Sequence, residues 1–116
     1  GQIALTVSDV DTALSFYRDI LGLPFLFQPS PQLAFLQAGA TRQMLSTPQG
    51  AGVVGANSVL YFSVTDISAS YQAIVAKGAT PERAPQLAAK MPDHELWIGF
   101  VRDPDLNLIG LMEEKR

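Results

Sequence analysis

Val7-Ser8-Asp9-Val10 and Val64-Thr65-Asp66-Ile67 stand 57 residues apart and match in chemical type at every position. Each closes a short alternating stretch and opens a helical one. Gln2-Ile3-Ala4-Leu5-Thr6-Val7 alternates as a strand, with Ile3, Leu5 and Val7 on one face. Asp9 then supplies an N-cap, because its carboxylate can accept a hydrogen bond from an orphan amide of the first turn. Val10, Ala13, Leu14, Tyr17, Ile20 and Leu21 follow at helical spacing, Gly22 offers the left-handed stop, and Pro24 blocks continuation. The second copy runs the same way: a strand over Val59 to Val64, Asp66 as cap, a stripe of Ile67, Tyr71, Ile74 and Val75, and Gly78 as stop.

Outward from each helix the chain turns to strands. In the first half these are Phe25 to Phe27, then Leu33 to Ala38 and Arg42 to Thr47 as a hairpin across Gly39-Ala40. In the second half they are Ala79 to Lys90, interrupted by Pro81 and Pro85, then Glu95 to Arg102 and Leu106 to Glu113. Residues 48–57, rich in glycine and alanine, form a connector between module one (1–47) and module two (58–116). The same order twice predicts an α+β fold of two βαβββ modules in one domain over 1–116. A strand that packs a helix on one face leaves the other face to line something else, so a curled mixed sheet around a cleft is expected.

Composition narrows the function classes. Apolar residues make up 47% of the 116 and charged residues 16%, which fits a folded chain with a lightly charged surface, and so a homodimer or a sizeable apolar cleft. The net charge is −3 and the basic residues are scattered, so no nucleic-acid footprint is present. There is no cysteine, hence no disulfide, thiolate metal site or cysteine nucleophile. No apolar run approaches the ~18 residues of a membrane span. The N-terminal stretch has strand rather than signal-peptide character, and a cytoplasmic location is the expectation.

The two openings, with Phe16-Tyr17-Arg18-Asp19-Ile20-Leu21-Gly22-Leu23 after the first and Asp103-Pro104-Asp105-Leu106-Asn107 near the end, resemble the vicinal oxygen chelate superfamily. That group includes glyoxalase I, the bleomycin-resistance proteins and the extradiol dioxygenases. The stretch Lys90 to Trp97 is similar to a glyoxalase-like branch. The resemblance covers nearly the whole chain and implies fixed metal-ligand points, which fall here on Gln2, Met44, Val59 and Gly110. Only Gln2 carries a donor suited to a divalent ion, and about three nitrogen or oxygen ligands are needed, so no metal and no cofactor is expected. The resemblance further implies a homodimer. Leu106 departs from the family turn, which has glycine there; either the position keeps a positive φ at a cost on the order of 1 kcal/mol or the turn differs.

Strand phase supplies the candidate binding residues. With Ile3, Leu5 and Val7 toward the helix, Gln2, Ala4 and Thr6 face the cleft, as do Val59, Tyr61 and Ser63; Arg42, Met44 and Ser46; and Leu108, Gly110 and Met112. Gln2, Arg42 and Tyr61 are expected on one cavity walled by Met44 and Met112, whose thioethers adapt to varied shapes. Arg42 is either an anion anchor, its planar fork matching a carboxylate, or half of a surface ion pair. If it is inward, a carboxylate, water or acidic ligand must meet it. Tyr61 is a stacking ring or core packing. His94, the single histidine, is a titrating ligand contact or a solvated loop residue. Trp97 is a stacking platform if it faces the cleft, and core or dimer interface if it does not, a phase its strand does not fix. Phe16 lies off the buried helical stripe and suits an interface. Asp103 and Asp105 are turn-formers rather than a catalytic pair.

No catalytic constellation is visible. The expected function is metal-free binding of a small apolar or aromatic ligand, acidic ones included, by a glyoxalase-like or bleomycin-resistance-like protein. The alternative implied by the resemblance is a metal-dependent lyase, isomerase or dioxygenase, and a third reading is an interaction module with a filled cleft.

Overall fold

In a computed structural model, which describes residues 2–48, 54–55 and 59–116, the chain divides into two units. One comprises residues 1–57 with Pro104–Asn107; the other comprises residues 58–103 with Leu108–Arg116. Most of the connector lies outside the described residues.

The first unit contains β1 (Gln2–Thr6), α1 (Val10–Leu14, continued by a π-helical turn over Ser15–Ile20), β2 (Phe25–Ser30), β3 (Leu33–Ala38) and β4 (Thr41–Ser46). Its sheet has the order β1-β4-β3-β2, with β1 parallel to β4 and the other pairs antiparallel. The second repeats this with β5 (Leu60–Ser63), α2 (Ile67–Ala76), β6 (Thr80–Lys90), β7 (Glu95–Arg102) and β8 (Leu108–Lys115), in the order β5-β8-β7-β6. The architecture is α+β, two βαβββ units, as the repeat predicts.

Both capping aspartates act as their sequence context requires. Asp9 accepts from the Thr12 amide at 2.8 Å and Asp66 from the Ala69 amide at 3.1 Å. Glu113 adds a second acceptor at the start of α2, taking the Ile67 amide at 2.9 Å. The prolines of β2 and β6 are tolerated because both strands are sheet edges, where a missing amide proton breaks no ladder, and both strands bulge out of register. β2 therefore runs through Pro29 to Ser30, three residues beyond the Phe25–Phe27 expected from sequence.

The helix of the first unit corrects one reading. Phe16 is 3% exposed and Tyr17 fully buried, their rings edge to face at 4.9 Å, so Phe16 is core and not surface. The reason is the π-helical turn: the Leu21 amide bonds the Phe16 carbonyl, a five-residue step, and the wider turn brings two successive side chains to the core side.

Leu106 keeps the positive φ of the family turn, at 65°, and is 64% exposed. A leucine so placed carries on the order of 1 kcal/mol of strain that glycine would not. The neighbouring Asp105 has a structural part, as its turn setting implies. Its carboxylate accepts the Ser8 amide at 3.0 Å and also the Ser8 hydroxyl. Asp103 is buried. Among the described residues, no helix is long and apolar enough to cross a membrane.

Candidate functional site

Each sheet has one face covered by its helix and one left open, and the alternation along the strands decides which side chains lie where. On the first unit Leu5, Val7, Leu36 and Leu45 are buried beneath α1. Register then places Gln2, Ala4 and Thr6 beside Arg42, Met44 and Ser46 on the open face, and Phe35 beside Met44.

Three of the sequence candidates meet there. The Arg42 Nε donates to Gln2 Oε1 at 2.9 Å, and the Gln2 amide nitrogen lies 3.9 Å from the Met44 sulfur. The Arg42 guanidinium also sits over the Phe35 ring, 5.1 Å from its centroid, and Phe35 stacks on Phe27 at 4.7 Å. Among the described residues Arg42 thus meets a neutral amide oxygen and an aromatic face, and no carboxylate. A cation over a ring is stabilised by the ring quadrupole, so the guanidinium holds its place without spending its charge on an acid.

Tyr61 and Met112 share the open face of the second unit. Tyr61 pairs with Gly110 and Ser63 with Met112. The Tyr61 ring lies on Gly110, where a Cβ would approach Cδ1 to 2.5 Å, so only glycine leaves room for the ring. Tyr61 remains 49% exposed and meets Phe100 edge to face at 5.9 Å.

The other two candidates lie elsewhere. Trp97 shares the phase of Gly99 and Val101; Val101 is fully buried and a Cβ on Gly99 would touch Tyr71 of α2, so this is the helix-covered side of β7. Its indole donates to Glu95 at 3.1 Å, and Lys115 lies 4.6 Å from the ring centroid. His94 sits in the β6–β7 turn with Nδ1 2.7 Å from Asp93 Oδ1. Hydrogen bonds from His94 and then Arg116 hold the Asp93 carboxyl below its ordinary value.

Phe27, Phe35, Arg83 and Phe100 also belong to the open faces and are missing from the residues the sequence singles out. A signal for Phe35 existed: a hairpin turning at Gly39-Ala40 sets Ala38 opposite Thr41, and hence Phe35 opposite Met44. Arg83 had none, because the bulges of β6 break the alternation around it.

The residues at the metal-ligand points do not fit a divalent ion. Gln2 Oε1, the one suitable oxygen, is turned toward a permanent cation, Arg42. The Gly110 position is filled by the Tyr61 ring, and Met44 offers only a soft thioether. Among the described residues no group of three or more His, Cys, Asp or Glu is placed to hold a metal.

Paired βαβββ units with open sheet faces define the vicinal oxygen chelate class of fold. Residues 1–111 match the Glyoxalase/Bleomycin resistance protein/Dioxygenase superfamily, and the chain belongs to it. It is 31% identical over 126 residues to the uncharacterized protein YraH of Bacillus subtilis, covering 95% of this chain and 94% of that one. Among solved structures it resembles a glyoxalase-related enzyme from Fulvimarina pelagi, with a TM-score of 0.78 and 20% identity over 97% of this chain and 86% of that one. It also resembles a lactoylglutathione lyase from Agrobacterium tumefaciens, with a TM-score of 0.77 and 24% identity over 97% and 90%. At these identities the two structures share its fold.

Proposed function

We propose that the chain binds a small apolar or aromatic molecule carrying an acidic group, without a divalent metal, on the open face of its first unit. The observation that carries this reading is the Arg42 guanidinium, held by Gln2 Oε1 and the Phe35 ring at the place where metal enzymes of the superfamily need anionic or neutral donors. A fixed positive charge there repels a metal ion and attracts a carboxylate, which the free edge of the guanidinium can bind through two parallel hydrogen bonds. Phe35, Phe27 and Met44 supply the apolar surface beside it. A soluble metal-free binder of the bleomycin-resistance kind is the resulting class.

Two measurements test it. Elemental analysis of protein supplemented with zinc, nickel, iron and manganese is expected to find well under one ion per chain; one retained ion per chain, lost on Gln2→Ala, overturns the metal-free reading. A thermal-shift screen of aromatic acids is expected to yield a ligand that adds about 1.4 kcal/mol at ten times its Kd. Arg42→Gln should weaken that ligand roughly tenfold, the loss of one charge-assisted contact. Equal binding by both proteins sinks the anchor.

We also propose a homodimer. Phe25, Leu26 and Phe27 are each more than 40% exposed in succession on the edge strand β2, an apolar edge of the kind that monomers usually blunt with charge. Sedimentation at tens of micromolar should give twice the chain mass, and a monomer would refute the pairing.

A further inference from the structure

With no cysteine in the chain, reversible oxidation of a side chain falls to its three methionines. Met91 is 44% exposed in the β6–β7 turn, and Met112 is half-buried on β8 of the second unit. Met44 is half-buried on β4 of the first unit, with Ala4 beside it on β1 and Phe35 beside it on β3. Among the described residues, Met44 is the methionine whose sulfur accepts from a side-chain amide. The Gln2 amide nitrogen lies 3.9 Å away, a contact that a thioether accepts only weakly. The other end of the same amide accepts from Arg42 Nε at 2.9 Å. Sulfur, amide and guanidinium thus form a chain of three groups, and its weakest link is the one at sulfur.

Oxidation changes that link. A thioether lone pair attacks one oxygen of hydrogen peroxide. The S–O bond forms as the O–O bond breaks, the sulfur gives up two electrons, and the departing hydroxide takes the proton of the transferred oxygen and leaves as water. The product is a sulfoxide, whose oxygen is strongly polar where the thioether was soft and apolar. The 3.9 Å between sulfur and amide nitrogen leaves room for that oxygen at an ordinary N–H···O distance of about 2.9 Å.

We infer that Met44 is a site of reversible oxidation by peroxide, and that its sulfoxide takes the Gln2 amide as donor and weakens ligand binding beside Arg42. The inference rests on the Arg42 reading for what is bound, and on Met44 and Gln2 alone for the chemistry. A donor already directed at the sulfur stabilises the polar product. The new oxygen also enters the apolar surface shared with Phe35 and Phe27, where an incoming aromatic ring must strip it of water. The bond from Arg42 to Gln2 is kept, because an amide that donates more strongly also accepts more strongly. The charged anchor therefore stays in place while the apolar surface next to it is lost.

The test treats the full chain with hydrogen peroxide and follows three quantities. Peptide mass spectrometry gives the sulfoxide at each methionine, NMR follows the Gln2 side-chain amide, and titration with 2-naphthoate gives the affinity before and after treatment. Met44 is expected to be oxidised, the Gln2 amide protons to move downfield, and naphthoate to bind on the order of tenfold more weakly, the cost of stripping water from one polar group. A pair of methionine sulfoxide reductases, one for each sulfoxide epimer, should reverse all three changes. In Met44→Leu, peroxide should move neither the Gln2 resonance nor the naphthoate affinity from that variant's own starting values. Met91→Leu should respond as the parent does. Met44 left unoxidised while Met91 is converted, a Gln2 amide that does not move, or an equal peroxide effect in Met44→Leu would each overturn the inference. Naphthoate binding that oxidation leaves unchanged would overturn it and leave the Arg42 reading standing. No binding of naphthoate to the untreated protein would overturn the Arg42 reading and the regulation with it, and the Gln2 resonance would then decide the sulfoxide contact separately.

Discussion

A Phe16→Ala variant is expected to lose about 3–5 kcal/mol of unfolding free energy, the usual cost of deleting a fully buried aromatic ring. The ring is 3% exposed and packs edge to face on Tyr17, itself without exposure, so truncation removes buried area and a ring pair together. The surrounding turn is held by the Leu21 amide on the Phe16 carbonyl and the Leu23 amide on the Tyr17 carbonyl, both 3.0 Å, and cannot easily collapse into the space left. Urea unfolding at several protein concentrations checks this. The loss should persist at the lowest concentration. A loss confined to high concentration, with a lowered sedimentation coefficient, would instead return Phe16 to the interface that its sequence position suggests.

Phe16 shows where the sequence was legible and where it was not. A repeat of strand, capped helix and strands can be recognised because the N-cap is local chemistry: an aspartate and the amide three residues on settle where a helix starts. The hairpin of β3 and β4 is equally local. Helical phase is not, once the turn widens; a 3.6-residue period puts Phe16 beside the stripe, and the π-helical turn returns it to the core. Strand phase fails for a different reason. Alternation assigns two faces without saying which one the helix covers, and Trp97 is assigned only through Gly99 and Val101, whose contacts with α2 and burial are tertiary facts. The open-face residues Gln2, Arg42, Met44, Tyr61 and Met112 were accessible because each lies on a strand whose side chains alternate in type without a bulge. Arg83 was hidden because its bulged edge strand has no dependable period. The pairing of Arg42 with Gln2 could not be foreseen, since a register of parallel strands far apart in sequence decides it.

Replacing Gln43 by methionine is expected to raise stability by about 1–3 kcal/mol, the opposite sign from most core substitutions. Gln43 is 1% exposed on β4, paired in register with Ile3 and Leu36, on the face that also carries Leu45 beneath α1. Neither its amide nitrogen nor its amide oxygen has a hydrogen-bond partner among the described residues. A buried amide stripped of water and left unpaired costs about 1–3 kcal/mol, and methionine fills nearly the same volume without that cost. Two comparisons isolate the cause. Gln43→Glu should be strongly destabilising, because burying a charge among Leu36, Leu45 and α1 is worse than burying an amide. Gln43→Ala should fall below methionine by the cavity it leaves, on the order of 2 kcal/mol or more. Denaturant midpoints at constant slope read all three. A methionine variant less stable than the parent would show that the Gln43 amide makes hydrogen bonds that matter, and the sign of that one difference decides the question.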